Sequence, residues 1–549
     1  MKFPFQWRRL AAILPLALAL LAGPAVSMAA QTQAANAVTV VSLTAAAGDE
    51  DIENPPRNVR SDLLLANDGN LYFASYSGGL GAGAIGKLTP DGQLSTLYSL
   101  ASNGSEGVTL YGSLIQGSDG ALYGTSYFGG AEGGGTLFRV TLDGEFSVLK
   151  AFGGGRVNGV YSPLFAYTGV TEGPDGMLYG TTFRGGRDDA GVIYRIGLDG
   201  SNFSVLYHFS DGDGENPEGA LAVGPDGMLY GTTMMGGSSN RGVIYRISTE
   251  GAYEVLYSFP SLTRFNSQGL ATNATGANPR AGLTLGPDGA FYGTTYQGGE
   301  FGHGTFYRVT LAGEVTVMHA FRGPSFDGSS PVSPVSIDAD GNFYGTTQAG
   351  GNLHRGAVWR LSADGTQYDL LHSFSGLTGD GQQPWAGVTH AHGRIYAVSY
   401  SDTVGDAGTI IRLDTGTNGV LPVTLTISQT EIERGDSVTL DWSAPADATC
   451  TKLGGITGWS GEATATGTLT ISPPAGGYTF GLSCTDADDG DESTPRTVRI
   501  AYVGLFVRAP LLQPVDGGGG AGALSLWWLL ALAALLTLRI TKEKRSPCP

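Results

Sequence analysis

Residues 226–233 read Asp-Gly-Met-Leu-Tyr-Gly-Thr-Thr, and versions of this phrase recur along the chain. The Asp-Gly pair supplies the positive φ of a tight hairpin turn, and the residues that follow it suit a β-strand. The versions occupy residues 68–72, 119–123, 175–179, 226–230, 288–292, 340–344 and, with His392-Gly393 replacing Asp-Gly, 392–396. Their tyrosines lie 51 to 62 residues apart. A period of about 50 residues with strand and turn signals predicts one propeller blade per repeat.

One repeat shows the expected blade. Four short segments alternate or cluster apolar residues between Gly-rich turns: residues 219–223, 228–233, 243–247 and 253–257. Strands do not alternate with helical segments, which disfavours a barrel of the (β/α) type. The sequence therefore predicts an all-β chain with a seven-bladed β-propeller over residues 37–413.

The ends of this region indicate how the ring closes. The last repeat has only three evident strands, whereas residues 38–43 resemble the fourth strand of the other repeats. We therefore expect the first strand of the chain to complete the last blade, where it also covers an exposed sheet edge.

The repeats resemble the Gly- and Val-rich tandem repeats called GloVer, which occur in exported bacterial proteins with varied C-terminal anchors. The resemblance covers roughly residues 37–413 and depends on the Asp-Gly-x-Leu-Tyr-Gly-Thr-Thr phrase and the Gly-Gly pairs. It implies export but no particular activity.

A second domain is predicted at residues 421–503. Short alternating strands there suggest an Ig-like sandwich with Trp442 in its core. Cys450 and Cys484 lie in this segment and could pair, whereas Cys548 lies near the C-terminus. The segment resembles bacterial Ig-like modules that carry one cysteine pair, which implies a disulfide worth about 3–4 kcal/mol in the chain-entropy model.

Both termini look like targeting segments. Residues 1–30 have the charged, apolar and small-residue regions of a signal peptide, with a retained anchor as the alternative. A Pro/Gly-containing stalk at 504–520 precedes an apolar segment at 521–540 and a basic tail at 541–549. The length and the basic flank predict a transmembrane helix with a cytoplasmic tail, with a buried core helix as the alternative.

The glycine run Gly517, Gly518, Gly519 and Gly520, followed by this helix and tail, resembles the GlyGly-CTERM sorting signal of Gram-negative bacteria. That resemblance implies cleavage near the glycines by a rhomboid-type protease. We therefore expect a protein that is tethered to the membrane facing the periplasm, and then displayed on the surface or released.

The net charge and the motifs of the sequence disfavour some classes of function. The net charge of −18 disfavours nucleic-acid binding, because such a surface repels phosphates. The sequence has no serine-hydrolase elbow, zinc-protease motif or phosphate loop, so an enzyme is less expected than a binding protein. No cofactor is predicted, although Asp211, Asp213 and Glu215 alternate as the ligands of a calcium loop do; a solvated acidic loop is the alternative.

Two repeated features have a structural and a functional interpretation. The third strand of every repeat carries a cation, which could form an anion-binding ring or pair locally; these are Lys87, Arg139, Arg195, Arg246, Arg308, Arg360 and Arg412. The Tyr-Gly-Thr-Thr phrase could bind a glycan or pack blade against blade. Near-identity in nearly every repeat favours packing for the phrase, and local pairing is favoured for the cations because third strands normally lie away from the channel of a propeller.

We expect the ligand, a protein or a glycan, on the face that carries the loops from fourth to first strand and from second to third strand. These loops differ between repeats, whereas the Asp-Gly turns at the other end are nearly uniform, and recognition concentrates in variable loops. Trp385, Phe265 and Phe301 are the candidate ligand-binding residues. The alternatives are a propeller enzyme that acts on polysaccharide, indicated by carboxylates or histidines in the channel, and a structural envelope component.

Overall fold

The computed structural model describes residues 36–43, 55–266, 268–323, 327–351, 353–376, 380–401, 407–414, 424–428, 431–433, 435–444, 449–454, 459, 461–473, 476–485 and 498–508. Regular structure in these ranges is entirely β-strand, which confirms the predicted all-β class. Searching them for an apolar helix of bilayer-spanning length finds none. The predicted signal peptide, sorting glycines, apolar segment and basic tail lie outside the described residues.

The first part of the chain forms strands in close succession. Strand β1 is Asn36–Ser42, and the first repeat contains β2 (Pro56–Val59), β3 (Leu64–Leu65), β4 (Leu71–Gly78), β5 (Ala84–Leu88) and β6 (Leu94–Ser99). The second contains β7 (Ile115–Gln116), β8 (Leu122–Ser126), β9 (Gly133–Val140) and β10 (Phe146–Gly153). A loop sheet and the third repeat follow as β11 (Arg156–Val157), β12 (Val160–Leu164), β13 (Thr171–Glu172), β14 (Leu178–Thr182), β15 (Arg184–Gly186), β16 (Val192–Ile196) and β17 (Ser204–His208).

The remaining repeats follow the same pattern. The fourth has β18 (Ala222–Val223), β19 (Leu229–Thr233), β20 (Val243–Ile247) and β21 (Tyr253–Ser258), followed by a hairpin of β22 (Arg264–Phe265) and β23 (Ala271–Thr272). The fifth and sixth have β24 (Thr284–Leu285), β25 (Phe291–Thr295), β26 (Thr305–Val309), β27 (Val315–Ala320), β28 (Ser336–Ile337), β29 (Phe343–Thr347), β30 (Ala357–Leu361) and β31 (Tyr368–Ser373). The seventh has β32 (Thr389–Ala391), β33 (Arg394–Ser399) and β34 (Thr409–Asp414).

Each repeat forms an antiparallel sheet whose strands pair in chain order, from a two- or three-residue first strand outward. The seventh sheet is completed by β1, which pairs antiparallel with β34 from Asn36 opposite Asp414 to Ser42 opposite Thr409. This pairing confirms the predicted place of the first strand. The second strands are buried along their length because both faces contact neighbouring sheets, which explains their continuous apolar and small residues.

Seven apolar clusters lie between neighbouring sheets. One joins Ile85 of the first sheet to Phe138 of the second, and corresponding clusters join each later pair. The last joins Val398 of the seventh sheet to Phe73 of the first. Hydrogen bonds make the same closure, with Thr389 Oγ1 donating to the carbonyl of Leu63 at 2.8 Å. The sheets therefore contact one another in a closed order, a β-propeller-like fold.

The C-terminal strands form two further groups. They are β35 (Thr424–Ile427), β36 (Glu431–Glu433), β37 (Val438–Ser443), β38 (Thr449–Gly454), β39 (Gly461–Ala463), β40 (Thr466–Ile471), β41 (Gly476–Thr485) and β42 (Val498–Arg508). One group is β35-β37-β40, and the other joins β36, β38, β39, β41 and β42. Trp442 is buried as predicted and contacts the fully buried Trp459, with ring centroids 5.4 Å apart.

Two details of this region differ from expectation. Strand β42 continues to Arg508, so the first residues of the predicted stalk belong to a strand, whose residue Phe506 pairs with Gly477 of β41. In addition, β42 pairs with Ala37 and Val38 of β1, which joins the C-terminal strands to the seventh sheet.

Candidate functional site

The Asp-Gly end of each sheet is held by a repeated set of side-chain contacts. In the second repeat the Asp119 carboxylate accepts a hydrogen bond from the Tyr123 hydroxyl at 2.9 Å and another from Arg139 Nη2 at 2.7 Å. In the first six repeats the tyrosine hydroxyl makes this bond to an aspartate, at 2.7 to 3.1 Å. Burial is the largest cause that raises the pKa of Tyr123 to about 12. The repeated phrase therefore builds the sheet end.

The third-strand cations are engaged locally. Lys87, Arg139, Arg246, Arg308 and Arg360 each have a carboxylate within 4.0 Å on their own sheet. Arg195 instead donates to the carbonyl of Thr249 at 3.0 Å. These contacts agree with the interpretation that the third-strand cations pair locally. None of these six cations is left to form an anion-binding ring.

The Tyr-Gly-Thr-Thr phrase joins neighbouring sheets. In several repeats the first threonine of the phrase donates its hydroxyl to a backbone carbonyl of the next sheet: Thr125 to Thr168 at 2.7 Å, Thr232 to Ala281 at 2.8 Å and Thr346 to Ala386 at 2.8 Å. The equivalent Thr181 hydroxyl is buried with no hydrogen-bond partner among the described residues. The recurring contact, where it forms, favours threonine at this position of the phrase.

At the opposite end of the sheets, equivalent positions carry different side chains in different repeats. Before each first strand, one non-glycine residue has positive φ: Asn58, Thr109, Phe165, Asn216, Asn278, Ser330 and Gln383. Its backbone N–H donates to a carbonyl of the preceding sheet, as Asn216 does to Ala190 at 2.9 Å. The chain is thereby fixed, and the residue two positions later is brought to the centre. These residues, the channel ring, are Arg60, Tyr111, Tyr167, Glu218, Arg280, Val332 and Trp385.

All seven members of the channel ring line one cavity of about 180 Å³. Small residues that precede the first strands also line it, including Gly112, Gly169 and Gly282. A Cβ added to Gly112 would lie 2.4 Å from the backbone nitrogen of Gly169, so the segments before the first strands pack closely together there. The cavity is therefore lined both by closely packed backbone and by side chains that vary between repeats.

One cation of the ring is neutralised. Arg280 Nε lies 2.5 Å from Oε2 of Glu218, whose side chain is 5% exposed. Burial raises the pKa of Glu218, and the adjacent Arg280 opposes that shift. Arg280 also lies 5.7 Å from the ring centroid of Trp385.

The other cation, Arg60, is surrounded by aromatic rings. Its Cζ lies 4.4 Å from the Trp385 centroid, 4.6 Å from Tyr400, 4.8 Å from Tyr111 and 5.4 Å from Tyr76. Its Nε is buried without a hydrogen-bond partner. Among the described residues no carboxylate forms an ion pair with it.

A belt of aromatic side chains extends around the cavity from Arg60. Tyr111 and Tyr167 stack with centroids 4.9 Å apart, and Tyr127 contacts both of them. Burial is the largest cause that raises the pKa of Tyr111 to about 12, and Arg60 opposes it. These residues offer flat apolar faces with hydroxyl groups at their edges.

Asp62 lies in the cavity two residues after Arg60. Its Oδ2 accepts a hydrogen bond from Ser113 Oγ at 3.0 Å and its Oδ1 accepts one from the Gly387 N–H at 2.5 Å. It therefore bridges the second and seventh sheets. Burial raises its pKa, and the bonds from Gly387 and Ser113 oppose the increase.

The three predicted ligand-binding residues are separated. Trp385 belongs to the channel ring, on the face where we expected ligand. Phe265 is 74% exposed on the β22–β23 hairpin, and Phe301 lies nearby because its carbonyl accepts a hydrogen bond from Asn266. Neither phenylalanine lines the cavity. Arg60, Glu218 and Arg280 are functional candidates that the sequence reasoning missed; aligning the repeats on the small residues before each first strand would have revealed them.

In the predicted calcium loop, Asp213 takes part in internal hydrogen bonds through its carboxylate, whereas Asp211 and Glu215 do so through their backbone. Asp213 accepts hydrogen bonds from the Tyr207 hydroxyl at 2.5 Å and the Ser210 N–H at 2.8 Å. Glu215 pairs through its backbone with Met235, and the carbonyl of Asp211 accepts from Gly237. Over the described ranges, no group of three or more His, Cys, Asp or Glu residues is placed to hold a metal ion.

Cys450 lies directly opposite Cys484 in the register of β38 and β41, and Cys450 is disulfide-bonded. The sorting glycines Gly517–Gly520 lie outside the described residues.

Comparisons with known proteins agree with the repeat. The model of the Gloeobacter/Verrucomicrobia repeat matches residues 58–275 and again residues 262–469, which extends past the seventh sheet. No curated protein matches the chain.

Solved structures offer distant similarities. The extracellular domain of a proposed one-component system from B. thetaiotaomicron is 11% identical, with 88% of this chain and 59% of that one covered and a TM-score of 0.44. A puromycin hydrolase is 11% identical over 71% of this chain and 62% of its own, with a TM-score of 0.41. TolB from Acinetobacter baumannii is 18% identical over 51% and 59%, with a TM-score of 0.29. The chain thus spans about three fifths of each of these proteins, and TM-scores this low say nothing about what it binds.

Proposed function

This chain belongs to the Gloeobacter/Verrucomicrobia repeat family, and from that premise we propose that its repeats form a seven-bladed β-propeller that binds a glycan at the channel ring. The observation that carries the proposal is the ring itself. Seven equivalent positions hold two arginines, a glutamate, two tyrosines, a tryptophan and a valine around one cavity. Packing alone favours the same residue in every repeat, as the Asp-Gly end shows, whereas recognition requires asymmetry.

The shape of the site favours a glycan over a protein. A stable protein interface buries about 800 Å² on each partner, usually over a broad surface. The cavity instead has a volume of about 180 Å³ and aromatic walls, which suits one or two sugar units inserted between the rings. Absence of glycan binding in the experiment below would favour a protein ligand instead.

A glycan array with the purified protein tests the proposal. We expect binding by the wild type and its loss in Trp385→Ala, because Trp385 forms part of the cavity wall. Phe265→Ala is the matched control, since it removes an exposed aromatic side chain outside the cavity. Binding that survives Trp385→Ala but is lost in Phe265→Ala would place the ligand on the β22–β23 hairpin and overturn the proposal.

A second candidate is an enzyme that cleaves polysaccharide. It is favoured by two cavity carboxylates, Asp62 and Glu218, whose pKa values are raised mainly by burial, a feature common in catalytic acids. Both carboxylates are already hydrogen-bonded, to Ser113 and Gly387 and to Arg280. Release of reducing ends from a bound glycan by the wild type, but not by Glu218→Gln, would establish this activity.

We further propose that the protein is exported and that residues 421–503 form an Ig-like domain between the propeller and a GlyGly-CTERM-type signal. The two groups of strands and the buried Trp442 support the domain. Mass mapping of the mature protein should find a C-terminus near Gly517–Gly520 that depends on a rhomboid-type protease. An unchanged C-terminus without that protease would refute the sorting proposal.

A further inference from the structure

We infer that the ligand of the channel ring carries a carboxylate, as in a uronic acid of an acidic glycan, and that Arg60 binds it. The inference rests on the proposed function and adds the chemical class of the ligand.

The charges of the ring leave one cation unpaired. Arg280 is neutralised by Glu218, with 2.5 Å between Nε and Oε2. Arg60 lines the same cavity but has no ion-pair partner among the described residues, only the four aromatic rings around its Cζ. Cation–π contacts offset part of the cost of desolvating a cation, but an anion offsets more. A ligand that enters the cavity therefore meets a positive charge with no anion of its own.

Asp62 does not fill that role. Its two carboxylate oxygens accept hydrogen bonds from Ser113 and from the Gly387 N–H, so they are committed to joining the second and seventh sheets. The closest carboxylate along the strand is thus a structural group.

The charge balance selects a monoanion. A guanidinium binds the planar carboxylate through two parallel hydrogen bonds, and one unpaired positive charge matches one negative charge. A phosphate monoester carries about −1.5 to −2 charges, and Glu218 and Asp62, which line the same cavity, would repel it more strongly than a carboxylate. A sulfate ester is also a monoanion, but its three terminal oxygens are not coplanar and match the planar guanidinium less well than a carboxylate does.

The walls select a sugar as the carrier of the carboxylate. Trp385 and Tyr111 face Arg60 at centroid distances of 4.4 and 4.8 Å from its Cζ, so a group bound to the guanidinium lies beside aromatic rings. The cavity of about 180 Å³ is smaller than the roughly 300–1,000 Å³ of sites for drug-sized molecules. It therefore suits one or two terminal sugar units rather than a long chain segment.

Calorimetry with three probes tests the inference: trigalacturonate, its methyl ester, and a sulfated galactose trisaccharide. We expect trigalacturonate to bind and the neutral ester to bind roughly 10- to 100-fold more weakly, as loss of charged hydrogen bonds implies. In Arg60→Gln the acid should fall to the affinity of the ester. Arg60→Lys should retain part of the difference, because the charge remains but the paired geometry is lost.

Arg246→Gln is the matched control, since it removes the same charge from a third strand where Arg246 pairs with Glu254; affinity should not change. Thermal unfolding of each variant identifies loss of fold. Equal binding of acid and ester, or preference for the sulfated probe, overturns the carboxylate inference while leaving a glycan site. Binding of any probe that is unaffected by Arg60→Gln and by Trp385→Ala overturns both the inference and the proposed function.

Discussion

The two ends of the sheets follow opposite rules. At the Asp-Gly end, six repeats place the same tyrosine hydroxyl on an aspartate, and the third-strand cations pair beside it. At the other end, the backbone is equally regular, with a positive-φ residue before every first strand. The side chains of the channel ring, however, vary among the repeats. In a repeat protein, therefore, agreement between repeats marks contacts that hold the sheets, and disagreement on a regular backbone marks the surface available for function.

The largest expected effect concerns the closely packed backbone that lines the cavity. Gly112→Val should lower the free energy of unfolding by about 3 kcal/mol, because its Cβ would meet the backbone of Gly169 and the two segments would have to separate. Urea unfolding measures this. Gly212→Val is the control, since a Cβ there meets nothing within 4 Å; equal losses in both variants would contradict the close approach.

At the variable end, Trp385→Ala should weaken glycan binding by about 2 kcal/mol, or roughly 30-fold, as is usual for a central tryptophan. Calorimetry against a glycan found on the array gives the value. Asp119→Ala, at the repeated end, should bind as the wild type does. If Asp119→Ala weakened binding as much, the division between the two ends would fail.

At the Asp-Gly end, Asp119→Ala should cost about 1 kcal/mol of stability, because the partly exposed Arg139 loses its acceptor and the Tyr123 hydroxyl keeps only the longer contact of 3.2 Å with the carbonyl of Leu198. Asp175→Ala is a matched comparison: Tyr179 loses its partner, but Arg195 keeps its bond to Thr249. The second variant should therefore be the less destabilised in denaturant titrations. The reverse order would show that the cation contributes nothing.

The smallest effect concerns pH. Burial raises the folded-state pKa of Asp62 above 3.8, so the folded protein binds this proton more tightly than the unfolded chain does. The wild type should therefore lose stability as the pH rises from the ordinary pKa of an aspartate to the raised pKa of folded Asp62. Asp62→Asn should lack this loss, because its side chain does not titrate. Unfolding midpoints between pH 3 and pH 7, as a rough range for carboxyl groups, give the difference between the two proteins. Burial also raises the pKa of Glu218, but this group affects the wild type and the variant alike. A difference in unfolding midpoint that does not change with pH would contradict the raised pKa of Asp62.

Much of the sheet structure could be predicted from the sequence, because the turn residues and the pattern of buried residues recur from repeat to repeat. The third strand of the fourth repeat was predicted at residues 243–247 and is Val243–Ile247. The first strand was predicted at 219–223 but pairs only as Ala222–Val223. Gly219 instead lies close to the neighbouring repeat, where an added Cβ would lie 2.6 Å from the nitrogen of Gly282. Because this contact joins residues far apart in the chain, the local pattern of residues cannot predict where the strand begins.

The candidate site was harder to predict than the fold. Trp385 was chosen because it is a tryptophan in a variable loop, whereas Arg60 and Glu218 look like ordinary surface charges in the sequence. Their place in the candidate site depends on contacts between residues far apart in the chain, such as Arg60 with Tyr400 and Glu218 with Arg280. In the C-terminal region the strand Thr449–Gly454 is hard to predict for a related reason, since it is paired with a distant strand, β41.

The completion of the seventh sheet by β1 also sets an order of events in folding. Six of the sheets can form from residues close together in sequence, but joining the first sheet to the last brings together Asn58 and Tyr400, which are 342 positions apart. Contacts of such long range are slow to form, because the entropy of closing the loop must be overcome first. Until then the outer edge of β34 is a free template for other strands. We therefore expect closure of the ring to be the last step of folding, and the chain to be most prone to aggregate before that step.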